Sequence, residues 1–542
     1  MESYFVAERK LPWWALGFSA AATYTSSGTA SGFTMLVFGY GLLGNGIWWI
    51  PYGIWIPLAA IIWSRLWRRA GVVTTAQLLE IRYSGKVAAV FRGVHGVYMC
   101  LGFAVLLNGY INGWLAVALS PITGWAPEVI IFVFTGIAAI YCIASGLYGV
   151  VFSDIPQFLI FLLGNIIFIP VVLISVGGLG AVYEGIPTPD MLKPLPPGGE
   201  LVGLTILALI VQGLFYVGSP CGGEGYTAQR FMSAKNEYHA QLGQMLNGVI
   251  TLIIRVIPFI FLGLIGAVVY QGMGIKGGAV WGRLLSDYSF VGLTGLLVAG
   301  EIAAYMSTID THLNWGASYL VNDMYRRFFV TRRGERHYVL ISRLASLGVL
   351  GLSIPVGIYV AKGGAGMEDW FKFINNVMVA FILPLGWLRF FWWRLNIYGE
   401  AAGILLGLPL AYLVWFVAGY KDAPLWEGFF VIFGLGAATI LVVTLLTPPE
   451  KRDVLERFYA KCSPPGLWGP IKARVGKVSE GAMRGLVVDS ILAVGFFLGL
   501  IGLVTSMFAL DLAPSLGMLV ISLGTAILLV RRWKRRGVFE KI

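Results

Sequence analysis

Charge is scarce in this chain: only 12% of its 542 residues are Asp, Glu, Lys or Arg. Soluble domains carry about 25%, so a water-soluble globular fold, a coiled coil and a disordered chain are all excluded. Cysteine is scarce too. The four, at 100, 142, 221 and 462, are too few for a disulfide framework and too widely spaced for a metal motif. Four scattered histidines (95, 239, 312 and 337) offer no axial pair for a membrane haem. No nucleotide loop or nucleophile–base constellation is visible, which leaves a membrane-embedded enzyme or redox subunit as a remote alternative. The basic residues form no aromatic-interleaved patch, so nucleic acid is not an expected partner.

The chain is instead rich in apolar residues, at 58%. A helix needs roughly 20 of them to cross the hydrocarbon layer. Runs of that kind predict an all-α polytopic membrane protein with about 14 spans, near 12–36, 46–66, 88–117, 127–146, 152–175, 200–219, 242–270, 290–322, 339–361, 369–392, 399–419, 426–446, 486–508 and 512–530. The runs are continuous rather than alternating, which excludes a transmembrane barrel. No cleavable signal peptide is visible, and nothing outside the membrane is long enough for a folded domain.

The net charge of +12 has a topological origin. With Arg9 and Lys10 inside, most of the basic residues fall in inside loops, among them Arg65, Arg68, Arg69, Arg326, Arg327, Arg332, Arg333 and Arg336. Only Lys193, Lys276, Arg283, Lys362, Lys372 and Lys421 fall outside. The expectation is a cell (inner) membrane protein with both termini cytoplasmic. Its parts are a core over 1–395, two peripheral helices over 396–447, a basic, proline-containing cytoplasmic linker with short amphipathic helices over 448–484, and two helices with a basic tail over 485–542.

Two spans carry polar, glycine-rich interruptions: SAAATYTSSGTASG (19–32) and YVGSPCGGEG (216–225). Each opens a block of five spans, and interrupted helices at matching positions in two halves point to a transporter site. Unwound backbone survives in a bilayer only where it is buried in protein or lines a cavity. The eighth span adds EIAAYMSTIDTH (301–312). Ser307, Thr308 and the carbonyl of Ala304 share one face and, with two carbonyls from the first break, would make an oxygen cage for a hard cation. The hydroxyls could equally bond back to their own helix. Arg255 and Arg343 read as structural partners of Glu301, Asp310 and Asp323, with Asp323 beside Arg326. His312 reads as a hydrogen-bonded packing residue or a proton carrier.

Four stretches in order carry a family resemblance: SYFVAERKLPWWALGFSAAAT (3–23), SGLYGVVFSDIPQF (145–158), AQRFMSAKN (228–236) and YMSTIDTHLNWGASYLVNDMYRR (305–327). Over residues 1 to about 420 the chain resembles the sodium:solute symporters. The resemblance implies a LeuT-like 5+5 inverted repeat with broken helices 1 and 6, working by alternating access as a monomer. Its coupling ion would be sodium, held by backbone oxygens of Ala22 and Thr25, the carbonyl of Ala304 and the hydroxyls of Ser307 and Thr308. Asp154 matches a family acid near the inner exit or a second sodium site. Ala304 stands where two-sodium members have Ser, so one sodium per cycle is expected. Many members have a further helix before core helix 1, which this chain lacks.

A small organic solute is implied as the passenger, with Tyr24, Asn108, Glu224 and Asn376 as candidate lining residues. The aromatic gate of sugar-transporting members is replaced by Pro220 and Cys221, so the solute is left open among sugars, amino acids, sialic acids and small carboxylates. Proton-coupled or uncoupled transport on the same fold, through Glu301, Asp310 or His312, is the alternative.

Overall fold

Backbone polar groups in hydrocarbon need partners within their own segment, and nearly every element of this chain is accordingly a helix. A computed structural model describes residues 2–144, 146–193, 200–363, 372–475 and 481–542. Ser145 of the 145–158 motif, residues 369–371 of the tenth predicted span and 476–480 of the predicted linker lie outside these. So do 194–199 and 364–368 of the predicted core. Among the described residues the only β pairing is two isolated bridges, Leu11 with Ala234 and Trp392 with Leu467.

The first half runs α1a (Trp13–Thr23), α1b (Gly28–Tyr40), α2 (Leu42–Ala70), α3 (Gly85–Thr123), α4 (Pro127–Ala144) and α5 (Leu147–Ser175). The second runs α6a (Glu200–Phe215), α6b (Tyr226–Ser233), α7 (Glu237–Val269), α8 (Val291–Phe329), α9 (Glu335–Ala361), α10a (Phe373–Val379) and α10b (Leu383–Phe391). Then follow α11 (Ile397–Val417), α12 (Leu425–Leu446), α13 (Gly481–Phe508) and α14 (Leu512–Arg535). Among the described residues, length and apolarity give ten membrane-crossing helices, or eleven if α10a and α10b, bent by 49°, make one span. The count falls below the fourteen expected because α1 and α6 are each two half-helices, and the apolar part of α4 is short.

Small residues set the closest approaches. A Cβ on Gly218 would lie 2.6 Å from the Leu383 carbonyl oxygen, which fixes the end of α6a against the start of α10b. A Cβ on Gly225 would lie 1.7 Å from the Pro220 carbonyl oxygen, so the turn before α6b accepts glycine alone. Around this centre α5 packs along α8, α3 along α9, and α1a along α7.

One end of the bundle collects the basic residues, and its ion pairs differ from those expected. Asp323 pairs with Arg92 at 2.6 Å rather than with Arg326, because α3 brings a guanidinium to the buried side of α8. Arg326 lies instead over the Tyr338 ring. Arg92 also reaches Glu80 at 2.6 Å, and Arg327 closes the cluster at 2.8 Å from Glu80. The predicted 448–484 linker is a docked layer over its described part. Helices Arg452–Cys462 and Gly469–Val475 put Phe458 and Trp468 against the buried Arg82 guanidinium. The Trp468 indole donates to the Phe390 carbonyl at 2.7 Å. Aromatic faces and backbone acceptors make a site for a cation that has no acid of its own.

Partial burial raises the Glu80 carboxyl, but hydrogen bonds and charge from Arg327 and Arg92 outweigh it and hold the group below the usual carboxylate range. A depressed carboxyl adds stability above its unfolded pKa, and loses that contribution as pH falls through the folded value. Glu80→Gln is expected to lower stability by about 1 kcal/mol at neutral pH, with the gap to wild type closing below about pH 4. Thermal unfolding of the detergent-solubilised protein at both pH values measures this.

Candidate functional site

The break in α1 follows from its sequence. Thr23, Thr25, Ser26 and Ser27 compete with the backbone for hydrogen bonds, and the chain leaves the helix where four of them surround Tyr24. The Ser26 N–H donates to Thr29 Oγ1 at 2.9 Å, and the Ser27 hydroxyl donates to the Ile111 carbonyl at 2.7 Å, tying the break to α3. The carbonyls of Ala22, Thr23 and Thr25 then face α8. Ser307 Oγ lies 3.3 Å from the Ala22 oxygen and 3.0 Å from that of Ala304. Thr308 Oγ1 lies 3.3 Å from the oxygens of Thr23 and Thr25 and 3.0 Å from that of Ala304.

The five residues expected at one ion are therefore together, and Thr23 joins them. Both fates considered for the hydroxyls occur at once: they bond back to Ala304 and reach across to α1. Each hydroxyl has a single proton, and of these four carbonyls only that of Ala22 also takes a backbone N–H from the break, that of Thr25 at 2.9 Å. The cluster is buried, rich in hard oxygen and short of donors, which suits a cation.

One turn towards the α6b side the arrangement reverses. Asp154 on α5 accepts from Ser19 Oγ at 2.6 Å. Arg230 on α6b places Nη2 3.7 Å from Asp154, and donates to Thr23 Oγ1 and Thr311 Oγ1, both at 2.8 Å, and to Ser19 Oγ at 3.2 Å. A built-in guanidinium thus sits among the hydroxyls and the carboxylate that could otherwise hold an ion. Neither Arg255 nor Arg343 pairs with Glu301, Asp310 or Asp323 among the described residues, and the Glu301 oxygens are buried without a hydrogen-bond partner.

A cavity of about 240 Å³ lies between the two breaks. Tyrosines 24, 52, 216 and 226 line it, with Tyr24 5.4 Å from Tyr226 and 6.3 Å from Tyr52 between ring centroids. The Tyr24 hydroxyl bonds Thr227 Oγ1 at 2.5 Å, joining the α1 break to α6b. Thr308 belongs both to this wall and to the oxygen cluster. Arg255 on α7, His312 on α8 and Asn375 on α10a are the other polar members named here.

Of the four candidate lining residues, Tyr24 is in the cavity wall and the other three are not. Asn108 is buried on α3, while Leu107, Tyr110 and Ile111 line the cavity. Asn375 takes the place expected for Asn376 and accepts from Gln212 Nε2 at 2.8 Å. Wide turns over Phe373–Val379 rotate this face relative to a regular helix, so counting back from Pro384 misses by one residue. Glu224 is drawn away by a buried cation, 3.0 Å from Arg389 and 3.4 Å from His95, while Arg389 also binds Glu400. His312 packs its ring 5.0 Å from Tyr226, and neither ring nitrogen has a hydrogen-bond partner, contrary to the bonded packing role expected.

Apart from Tyr24, the cavity aromatics and Arg255 are not among the site residues expected from the sequence. Trp48 and Tyr52 stand four apart on α2, a spacing that marks a shared face but not what it faces.

The profile of the sodium:solute symporter family matches residues 4–407. The chain is 26% identical over 451 residues to the sodium/glucose cotransporter 4 of Danio rerio, covering 75% of this chain and 66% of that protein. It is 26% identical over 474 residues to the high-affinity proline transporter PutP of Bacillus subtilis (strain 168), covering 84% and 95%. Among solved structures, a Na+-coupled sialic acid symporter in a substrate-bound outward-open state superposes with a TM-score of 0.69 at 20% identity, over 83% of this chain and 93% of that one. The nucleobase-cation-symport-1 family transporter MHP1 superposes at 0.51 with 11% identity, over 84% and 97%. These structural likenesses establish the LeuT-like fold, and the family profile spans most of the chain. The chain belongs to the sodium:solute symporter family.

Proposed function

We propose that this chain is a secondary active transporter that carries a small organic solute together with one sodium ion per cycle, by alternating access. It is a transporter rather than an enzyme. The observation that carries the reading is the donor-poor oxygen cluster between the α1 break and α8, joined through Thr308 to the cavity wall. Sodium would take the carbonyl oxygens of Ala22, Thr25 and Ala304 and the hydroxyls of Ser307 and Thr308, with Thr23 close by. Bound there, it would hold α1 against α8, and through Thr308 and Tyr24 it would shape the cavity that receives the solute.

One sodium follows from two features. Ala304 offers no side-chain oxygen, and Arg230 already provides the positive charge that Asp154 needs. Fourteen spans with both termini cytoplasmic, in the cell (inner) membrane, fit the basic loops best. The protein is taken to work as a monomer, since cavity and oxygen cluster are built within one chain.

A sodium titration of thermal stability, with choline replacing sodium at constant ionic strength, needs no known solute. Sodium should raise the unfolding temperature of the wild type, because a ligand of the folded state stabilises it. Thr308→Ala should raise the half-maximal sodium concentration on the order of tenfold, equal to about 1.4 kcal/mol, and Ser307→Ala should act in the same direction. No response to sodium, with a response to pH instead, would favour the proton-coupled alternative.

A further inference from the structure

Among the described residues the cavity wall contains one fixed positive charge, Arg255, and no acid. The Arg255 side chain is 2% exposed and sits just after a wide turn in α7, where its own N–H reaches back to the Ile250 carbonyl at 2.9 Å. Its Nη1 donates to the Tyr24 carbonyl. Its guanidinium lies over the Phe33 ring at 5.0 Å and the Trp48 ring at 5.7 Å. Its Nε is buried with no partner, and among the described residues no carboxylate pairs with it.

Other buried guanidinium groups have acids, except Arg82, which does not line the cavity and is held by backbone carbonyls and rings. Arg230 has Asp154, Arg389 has Glu224 and Glu400, and Arg92 has Asp323. A buried charge without a counter-charge is costly, and an unpaired ion within the membrane is functional by default. Aromatic faces offset part of the cost for Arg255, but they leave the charge uncancelled and part of its donor fork unused.

We propose that the transported solute carries a carboxylate and that Arg255 receives it, on the reading above that this cavity is the solute site. A planar guanidinium matches a carboxylate with two parallel hydrogen bonds. The rest of the wall sets apolar side chains, Phe33, Leu36, Trp48, Ile111 and Ile374, beside the polar tips of tyrosines and of His312 and Asn375. The volume of about 240 Å³ has room for roughly eight waters at about 30 Å³ each. A cavity of this size with one cation in its wall suits a small monocarboxylate. Coupling follows from one turn of backbone: the Tyr24 carbonyl is held by Arg255, while those of Thr23 and Thr25 on either side face Thr308. Carboxylate and sodium would therefore order the same break from opposite sides.

The test uses the purified full-length protein in saturating sodium, with acetate, propionate, butyrate, benzoate and phenylacetate each compared with its own neutral amide by thermal stability. At least one acid should stabilise the wild type where its amide does not. Arg255→Gln should weaken that acid on the order of a hundredfold, with a single cooperative thermal transition showing that the variant is folded. Arg255→Lys, which keeps the charge but not the fork, should fall between. If no acid stabilises the wild type, if acid and amide act alike, or if Arg255→Gln and Arg255→Lys both bind the acid as wild type does, the proposal is overturned. An acid–amide difference that depends on Arg255, with no response to sodium, would support this proposal and refute the sodium reading instead.

Discussion

An unwound segment in a membrane leaves carbonyl oxygens that hydrocarbon cannot satisfy, and the centre of this protein is organised around that constraint. The break at Tyr24–Ser27 frees carbonyls in the middle of the bundle. The Tyr24 carbonyl meets the Arg255 cation, that of Thr25 meets the Thr308 hydroxyl, and that of Ser26 accepts the Thr29 N–H at 2.9 Å. The second break, through Pro220 to Gly225, is satisfied within itself: the Gly222 and Glu224 N–H groups return to the Ser219 carbonyl at 2.9 and 3.2 Å. The two breaks are therefore unequal. One is a tight turn that carries cavity walls, and the other presents carbonyls to Thr308 and Arg255.

Charge is distributed by the same logic. A protein with so few charged residues places several guanidinium groups deep in its interior, and each has a specific neutraliser. Arg389 is enclosed by two glutamates, Arg82 by backbone carbonyls and aromatic rings, and Arg230 by Asp154 and three hydroxyls. These contacts link helices distant in sequence and hold the two halves in register at the basic end. Arg255, like Arg82, has rings and a backbone carbonyl in place of an acid, and unlike Arg82 it lines the cavity.

Much of this was legible in the sequence, and the reasons are local. The helical spans are long apolar runs, and both breaks are marked by glycine with serine, threonine or proline. Ala304, Ser307 and Thr308 lie within one turn of one helix, so their common face follows from periodicity; Ala22 and Thr25 joined them through the family resemblance. What was not legible depended on contacts between distant segments. Asp323 chose Arg92 over its neighbour Arg326, and Glu224 chose Arg389 over the solute cavity. A change of helical pitch in α10a moved the lining residue from Asn376 to Asn375. The short helices after residue 448 follow from the sequence, but their docking through Phe458 and Trp468 on Arg82 does not.

The central claim is that the oxygen cluster of α1 and α8 binds sodium before any solute arrives. Equilibrium binding of radioactive sodium to the purified protein, without solute, measures this directly. The account predicts saturable binding of one ion per chain, displaced by unlabelled sodium but not by choline, and lost when Ser307 and Thr308 are both replaced by Ala. Absence of saturable binding, or binding that survives the double replacement unchanged, would contradict it.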